Sequence, residues 1–161
     1  MVPSAVLLRP PEATPGDQLV DSMHGAMRSV LRRLHPALEA EGITMGQFWA
    51  LHLISSLGSA SVSVVARHLS VSAPTICGKV DQMEAAGLIA RHRSERDRRA
   101  VELSLTAKGR RTEARIWARL GRMIGEAAEE LRPADVATAV RVFRELNARL
   151  DSRDASEGVV A

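Results

Sequence analysis

Apolar residues recur at helical spacing in the first part of the chain. Between residues 17 and 34 they occupy one helix face, at Leu19, Met23, Ala26, Met27, Val30, Leu31 and Leu34. This spacing predicts an amphipathic helix. We expect Pro36 to kink or end that helix and Gly42 to close the segment. Residues 1–16 contain four prolines, and we expect them to form a flexible arm.

Three further helices are predicted downstream, and each follows a hydroxyl side chain that can cap it. The predicted caps are Thr44, Ser61 and Ser72. Thr44 also forms a capping-box pattern with Gln47, so the helix that starts there should run to about residue 57. The next helix covers residues 62–69, and the one after it ends at Gly87. Only two residues separate those two short helices, and so tight a turn is typical of a helix-turn-helix.

The pattern changes from helical spacing to alternation after the fourth helix. Residues 88–93 and 101–105 predict two strands joined by a polar tip. Near-heptad spacing then predicts a long helix that Thr106 caps and that runs to about Leu131. A last helix over residues 134–150 is expected to bury its apolar side chains, which are Val136, Val140, Phe143, Leu146 and Leu150. We expect the residues beyond it to fray.

The order of these elements predicts a mainly α-helical chain with a small β-hairpin, folded as a winged helix-turn-helix between N- and C-terminal dimerisation helices. The predicted parts are a flexible arm (1–16), an N-terminal helix (17–43), the winged helix-turn-helix domain (44–107), the C-terminal helices (108–151) and a flexible tail (152–161). The apolar stripes of the terminal helices are too wide for the small domain to cover. We therefore expect a homodimer, in which the same helices of a second copy cover them.

The basic charge of the chain is concentrated at the predicted hairpin. Residues 91–111 contain eight Lys or Arg against three acids, a net charge of +5, whereas the whole chain carries only +3. A hairpin with this charge density indicates an anionic partner, and nucleic acid is the first candidate. Aromatic residues make up only 2% of the chain, which argues against recognition by stacking on unpaired bases.

Composition also disfavours several other classes of function. Cys77 is the only cysteine, so the chain has no internal disulfide and no Cys-rich zinc site. The five histidines lack ligand-like spacing, and we expect neither a metal nor a cofactor. We also expect a cytoplasmic protein without membrane association, because no signal peptide and no apolar run of spanning length is recognised. No nucleophile–base pair or acid dyad suggests an enzyme.

The residues of the hairpin resemble the wing of MarR-type (multiple antibiotic resistance) regulators. The matching runs are 87–91, 97–101 and 103–109. Residues 44–57 and 65–72 are similar to the second and third helices of the same family, so the resemblance covers roughly residues 17–151. It implies a homodimer that binds a pseudo-palindromic double-stranded DNA operator, usually as a repressor, and that a small ligand often releases.

The outward face of the fourth helix is predicted to read the DNA. If Ile76, Val80 and Met83 face the core, the residues available to DNA are Ser72, Ala73, Thr75, Gly78, Lys79 and Gln82. We expect Gln82 to pair with adenine, Thr75 and Ala73 to meet a thymine methyl group, and Lys79 to reach guanine or phosphate. The family often has arginine or a bulkier polar residue near Gly78, so the operator sequence is left open. The alternative is an exposed polar face without a target.

The wing residues are predicted to divide into three roles. The resemblance makes Arg99 the side chain that enters the minor groove. Asp97 is expected to pair with Arg91 or Arg99 and stiffen the loop. The predicted phosphate contacts are Arg93, Arg96 and Arg98. The alternative is a solvated charged loop.

Two regulatory hypotheses accompany this interpretation. An effector pocket for a small aromatic or phenolic ligand is suggested near the crevice between the DNA-binding and dimerisation regions, at His24, Met27, Trp49 and His52, with ordinary core packing as the alternative for Met27 and Trp49. Cys77 is interpreted first as a small gap-filling residue and second as an oxidation switch. Two other readings of the whole chain are a constitutive DNA-binding protein and a winged-helix protein-interaction module, which would expose an apolar patch instead of arginines.

Overall fold

The computed structural model describes residues 14–93 and 101–157, which form six helices and a three-stranded antiparallel sheet. The elements in chain order are α1 (Pro15–Ala40), α2 (Met45–Leu57), β1 (Ala60–Ser61), α3 (Val62–His68), α4 (Ala73–Ala85), β2 (Ile89–Arg93), β3 (Val101–Leu105), α5 (Ala107–Ala128) and α6 (Pro133–Glu157). The chain divides into two compact units, Met1–Leu120 and Gly121–Ala161. The predicted fold class, mainly α with a small sheet, is confirmed.

The predicted caps of the central helices are present. Thr44 and Gln47 form a reciprocal capping box, in which Gln47 Oε1 accepts from Thr44 N at 2.8 Å and Thr44 Oγ1 accepts from Gln47 N at 3.3 Å. Ser61 and Ser72 each accept from the backbone N–H three residues further on, at 3.3 and 3.4 Å. These bonds satisfy amide groups that have no partner inside a helix, and so they fix where α2, α3 and α4 begin.

Helix α1 differs from its prediction at its first residue, and Pro36 does not end it. The helix begins at Pro15 and not at residue 17, because Thr14 caps it with a capping box of its own. It also continues through Pro36, which loses one backbone hydrogen bond. Leu34 and Leu38 on either side of the proline are 1% and 3% exposed. Their burial offsets the missing bond and keeps the helix intact.

The last helix also differs from its prediction. It extends to Glu157, seven residues beyond the expected end at Leu150, because the residues that follow include neither glycine nor proline before position 158. None of its side chains that the structure describes is buried. The expected burial of its apolar face therefore does not occur within a single chain.

The sheet contains one strand more than predicted. The hairpin of β2 and β3 is confirmed, with Ile89 opposite Leu105 and Arg93 opposite Val101. The short strand β1 pairs with the other edge of β3, so the strand order is β1-β3-β2. A two-residue strand has no alternation to detect, and it forms only because β3 lies beside it.

The core of the first unit lies between α2, α3, α4 and the sheet. Its fully buried side chains are Leu34, Phe48, Leu51, Ile54, Val65, Ile76, Val80, Met83, Leu103, Thr112 and Ile116. Three of these side chains belong to α4, which fixes that helix on its inner face. The opposite face of α4 is thereby presented in a defined orientation. In the described ranges no helix has the length and apolar character needed to cross a membrane.

Candidate nucleic-acid interface

The inner and outer faces of α4 fall where the sequence predicts them. Ile76, Val80 and Met83 are each 0% exposed. The opposite face presents exposed Thr75, Gly78 and Gln82 and half-buried Lys79, and the backbone places Ala73 at the first position of the helix. A Cβ atom added to Gly78 would meet nothing within 4 Å. The outer face of α4 is therefore uncovered at Gly78, where another molecule has room to approach the helix backbone closely.

The start of α4 combines backbone donors with two hydroxyl groups. Ser72 Oγ lies 2.8 Å from Thr75 Oγ1, and it also accepts the hydrogen bond that caps the helix. Pro74 occupies the first turn, where its missing N–H leaves no bond unmade. The positive end of the helix dipole and these hydroxyl groups form a local environment that suits an anionic oxygen.

The second half of α4 contacts the start of α2. Gln47 Nε2 donates to Gln82 Oε1 at 3.1 Å, and Gln47 itself is only 7% exposed. Lys79 lies against Gly46, where an added Cβ atom would come within 3.4 Å of the ammonium nitrogen. Gln47 was expected only to cap its own helix. Its contact with α4 links two segments that are 35 residues apart.

Arg91 joins the sheet to α4. Its guanidinium group donates to Asp81 and, at 2.8 Å, to Glu84. The hydrogen bond to Asp81 is the main reason that the pKa of Arg91 is raised, with the charge of Glu84 acting in the same direction. The expected partner Asp97 lies outside the described residues. Arg91 thus offsets part of the negative charge of two acids on α4, which would repel a nucleic acid.

The structure describes only the base of the predicted wing. Arg93 is exposed at the end of β2, opposite Val101. The other wing residues, Arg96, Asp97, Arg98 and Arg99, lie outside the described residues, and their roles stay predictions. Glu102 of β3 lies 3.8 Å from His92 Nε2 and accepts from Ser59 Oγ at 2.7 Å. Polar cross-strand contacts therefore support the base of the hairpin.

The residues that follow the hairpin fix it to the end of α4. Thr106 Oγ1 donates to the carbonyl of Gly87 at 2.6 Å, and it accepts from the N–H of Gly109 at 3.0 Å. Lys108 Nζ donates to the carbonyl of Ala86 at 2.8 Å. The predicted cap at Thr106 is confirmed, and Lys108 adds a C-terminal cap to α4.

Gly109 lies closer to the backbone of Leu88 than a residue with a Cβ atom could. A Cβ atom at this position would lie 1.9 Å from the carbonyl oxygen of Leu88 and 2.9 Å from its carbonyl carbon. Both atoms belong to the backbone and cannot move aside. The glycine of the wing motif is therefore required for α5 to start against the first residues of the hairpin. The sequence motif alone does not show this close approach, which depends on how α5 packs against Leu88.

The proposed effector residues are only partly brought together. His52 Nδ1 lies 2.8 Å from Glu113 Oε1, and its ring stacks on Trp117 with ring centroids 4.0 Å apart. Trp49 meets the same imidazole edge-on at 6.0 Å. A cavity of about 490 Å³ adjoins them, lined by Trp49, His52, Leu53, Ser56, His68, Leu69 and Ser70. His24 and Met27 are exposed on α1 and do not line it.

Cys77 is exposed on α4, which does not fit a residue that fills a gap in the core.

No group of three or more His, Cys, Asp or Glu side chains in the described ranges is arranged to hold a metal ion.

Helices α2–α4 followed by the β2–β3 hairpin define a winged helix-turn-helix protein. Residues 43–101 match the model of the MarR family, in agreement with the resemblance seen in the sequence. The transcriptional repressor MdtR of Bacillus subtilis is 30% identical over 97 residues, which are 58% of this chain and 63% of MdtR. The activatory protein BadR of Rhodopseudomonas palustris is 34% identical over 98 residues, 56% of either chain. The chain thus spans less than two thirds of the length of these curated relatives.

Solved structures show the same fold. A MarR family protein from Bacillus stearothermophilus superposes with a TM-score of 0.75 at 24% identity, over 83% of this chain and 94% of that one. NadR in complex with 4-hydroxyphenylacetate superposes with a TM-score of 0.69 at 22% identity, over 86% and 95% of the two chains. The helices and the sheet described above therefore have the arrangement found in these solved structures.

Proposed function

We propose that this protein is a transcriptional regulator that binds a specific double-stranded DNA sequence as a homodimer. The observation that supports this most directly is the construction of α4. Its inner face is fully buried, its outer face is polar and open, and the basic segment 91–111 follows it directly. A helix presented in this way enters the major groove with its N-terminus first. The relatives MdtR and BadR are named as transcriptional regulators.

The residues of α4 have two proposed roles: some bind phosphates and position the helix on the DNA, and others contact the bases. Ser72 and the first N–H groups of the helix bind a backbone phosphate. Ala73, Thr75 and Lys79 meet base edges or phosphates in the groove, and Gly78 lets the DNA come close. Gln82 contacts a base at the far end of the helix. The wing arginines then hold the neighbouring backbone through Arg93, Arg96 and Arg98, with Arg99 in the minor groove and Asp97 bracing the loop.

The homodimer is supported by apolar side chains that have no cover within a single chain. On α1 they are Val20, Met23, Met27 and Leu31, and on α6 they are Val140, Val142, Phe143 and Leu150, each between 37% and 62% exposed. A face of this kind is costly to leave in water. A second copy related by a two-fold axis covers both sets, and its symmetry makes the operator pseudo-palindromic.

The DNA-binding proposal is tested with Arg99→Ala. We expect the variant to bind an operator, selected from random DNA with the wild type, about tenfold or more weakly, because one groove contact is lost. Fluorescence anisotropy measures the affinity, and circular dichroism verifies the fold. Arg119→Ala on the exposed side of α5 is the matched control and should change affinity less than twofold. Equal affinities of the wild type and Arg99→Ala would contradict the role of the wing.

The finer proposal is a repressor that a small aromatic or phenolic ligand releases from DNA. The cavity beside Trp49 and His52 supports it, whereas His24 and Met27, which the sequence also suggests, do not line that cavity. If His52 Nδ1 donates to Glu113, the neutral ring leaves Nε2 as an acceptor for a phenolic hydroxyl group. NadR has been solved with 4-hydroxyphenylacetate, which makes hydroxylated aromatic acids the first ligands to test.

Titration of the protein with such acids tests the ligand. We expect Trp fluorescence to change, operator affinity to fall, and both responses to be lost in His52→Ala. Ser56→Ala, which alters the same cavity without removing the imidazole, should respond like the wild type. If neither fluorescence nor operator affinity changes with any aromatic acid, the regulator is constitutive.

A further inference from the structure

A chain of hydrogen bonds links the capping box of α2 to the outer face of α4. Its members are Thr44, Gln47 and Gln82. Gln47 Oε1 lies 2.8 Å from Thr44 N and 3.2 Å from Thr44 Oγ1, and Gln47 Nε2 lies 3.1 Å from Gln82 Oε1. The direction of each bond determines the direction of the next, because an amide group has one accepting and one donating end.

The first bond has only one possible direction. The backbone N–H of Thr44 can donate but cannot accept. The Gln47 atom that faces it must therefore be the carbonyl oxygen, since an NH₂ group there would set two donors against each other. This settles which end of the Gln47 amide is oxygen and which is nitrogen, a choice that heavy-atom positions alone leave ambiguous.

The second bond follows from the first. With its oxygen facing Thr44, Gln47 points its NH₂ group at Gln82, and an NH₂ group can only donate. Gln82 must therefore turn its oxygen inward. No buried side-chain nitrogen or oxygen in the described part of the chain lacks a hydrogen-bond partner, and Gln47, at 7% exposure, has no water-exposed position in which to reverse its amide at low cost.

The orientation of Gln82 is thereby determined at the surface. Its oxygen is occupied by Gln47, whereas its NH₂ group has no partner among the described residues. Gln82 is exposed on the face of α4 that points away from the core. It therefore offers DNA a donor. The bidentate pairing with adenine expected from the sequence needs the oxygen and the NH₂ group turned toward the same base, whereas here the oxygen is turned toward Gln47.

We propose that Gln47 is a specificity-determining residue of the DNA interface, although it does not touch DNA itself. By holding the oxygen of Gln82, it makes Gln82 read a base that presents acceptors in the major groove. Guanine fits best, because its O6 and N7 are adjacent acceptors, and thymine O4 follows. Adenine offers a single acceptor, N7, beside an amino donor, and cytosine offers only an amino donor, so both are less favoured. This inference rests on the proposed DNA-binding function.

Gln47→Glu is the decisive variant, because it reverses the chain of bonds without changing its shape. One carboxylate oxygen keeps the cap on Thr44 N, as glutamate does in the common form of the capping box. The other oxygen can only accept, so Gln82 must turn its NH₂ group inward and its oxygen toward the DNA. The added charge weakens binding to all sequences alike, and the ranking of bases is the quantity to compare.

The experiment uses the full chain and an operator selected from random DNA with the wild type. Each base pair of a half-site is replaced by the other three, and the pair read by residue 82 is the one whose replacements no longer matter in Gln82→Ala. At that pair we expect the wild type to prefer guanine or thymine over adenine or cytosine by about tenfold, and Gln47→Glu to reverse this order by a similar factor. Leucine cannot form a hydrogen bond with Gln82 and so does not fix the orientation of its amide. Gln47→Leu should therefore reduce the base preference to about twofold or less.

The outcomes separate this inference from the proposed function. A wild type without any sequence preference overturns both. A wild type that binds a specific operator, with Gln47→Glu and Gln47→Leu keeping its ranking of bases at every pair, overturns the inference and leaves the proposed function intact. The same holds if Gln82→Ala changes the preference at no pair. Should Gln47→Glu fail to fold by circular dichroism, an unchanged preference in Gln47→Leu overturns the inference.

Discussion

The α2–α4 segment of the unit Met1–Leu120 and the unit Gly121–Ala161 use apolar residues in opposite ways. In the first, α2 and α4 together bury six large side chains completely: Phe48, Leu51, Ile54, Ile76, Val80 and Met83. In the second, no side chain that the structure describes is buried, and Phe143 and Leu150 are 43% and 53% exposed. The first unit has a core of its own. The second leaves apolar side chains of α6 exposed.

The difference in burial matches two proposed tasks, which are DNA reading by α4 and dimerisation through the exposed apolar face. A reading helix must keep its orientation, so α4 is held by side chains that the same chain covers. A dimerisation surface must be available to a second copy before assembly, so its side chains stay exposed in one chain. Each region therefore has the burial that its proposed task requires, and truncation of the same residue type in the two regions should have different consequences.

The largest expected effect comes from the only two phenylalanines of the chain. Phe48→Ala removes a side chain that is 0% exposed, and we expect it to lower the free energy of unfolding by about 3–5 kcal/mol. The loss should be the same at every protein concentration, because the cavity lies within one chain. Urea unfolding followed by circular dichroism measures it.

Phe143→Ala tests the other half of the comparison. Its side chain is 43% exposed in a single chain, so truncation should weaken the dimer and leave each chain folded. Analytical ultracentrifugation should show dissociation at higher protein concentration than for the wild type, and Tm should fall most in dilute samples. Arg144→Ala, at an exposed neighbouring position, is the control. A concentration-independent loss in Phe143→Ala would mean that this region has an internal partner.

The sequence predicts those features that depend on a few neighbouring residues. The caps at Thr44, Ser61 and Ser72 follow from four-residue patterns, and the buried face of α4 follows from helical spacing. The bond from Gln47 to Gln82 crosses 35 residues, and it depends on how α2 and α4 pack. Patterns along the chain also indicate which faces are apolar. They do not tell whether the same chain or a second copy covers them, as the exposed face of α6 illustrates.

The next effect concerns two glycines of the first unit. In Gly109→Ala the new Cβ atom would lie 1.9 Å from the carbonyl oxygen of Leu88, so β2 and α5 must move apart. We expect a loss of about 3 kcal/mol, at the upper end for overpacking. Gly78→Ala meets nothing within 4 Å on α4 and should gain about 0.5–1 kcal/mol. Urea unfolding of both variants at one protein concentration is the measurement. Equal stabilities would show that the start of α5 is not fixed against the hairpin.

The smallest expected effect concerns a charged contact within the first unit, between the end of α1 and α5. Arg115 donates to both oxygens of Glu41 at 2.7 Å, and Thr112 donates to one of them at 3.1 Å. The hydrogen bond from Arg115 is the main cause that lowers the pKa of Glu41 below its ordinary value of 4.5. A carboxyl group with a lowered folded-state pKa stabilises the fold above its unfolded pKa, and this stabilisation is lost as the pH falls through the folded value.

Glu41→Gln should therefore lower Tm by about 2 °C at neutral pH, since the pair is partly exposed. The difference from the wild type should stay constant down to about pH 5 and shrink below it, as the wild-type carboxylate takes up a proton. Glu39→Gln, which alters an exposed carboxylate near the end of α1, should show a smaller difference at neutral pH. A Glu41→Gln difference that grows on acidification would contradict the lowered pKa.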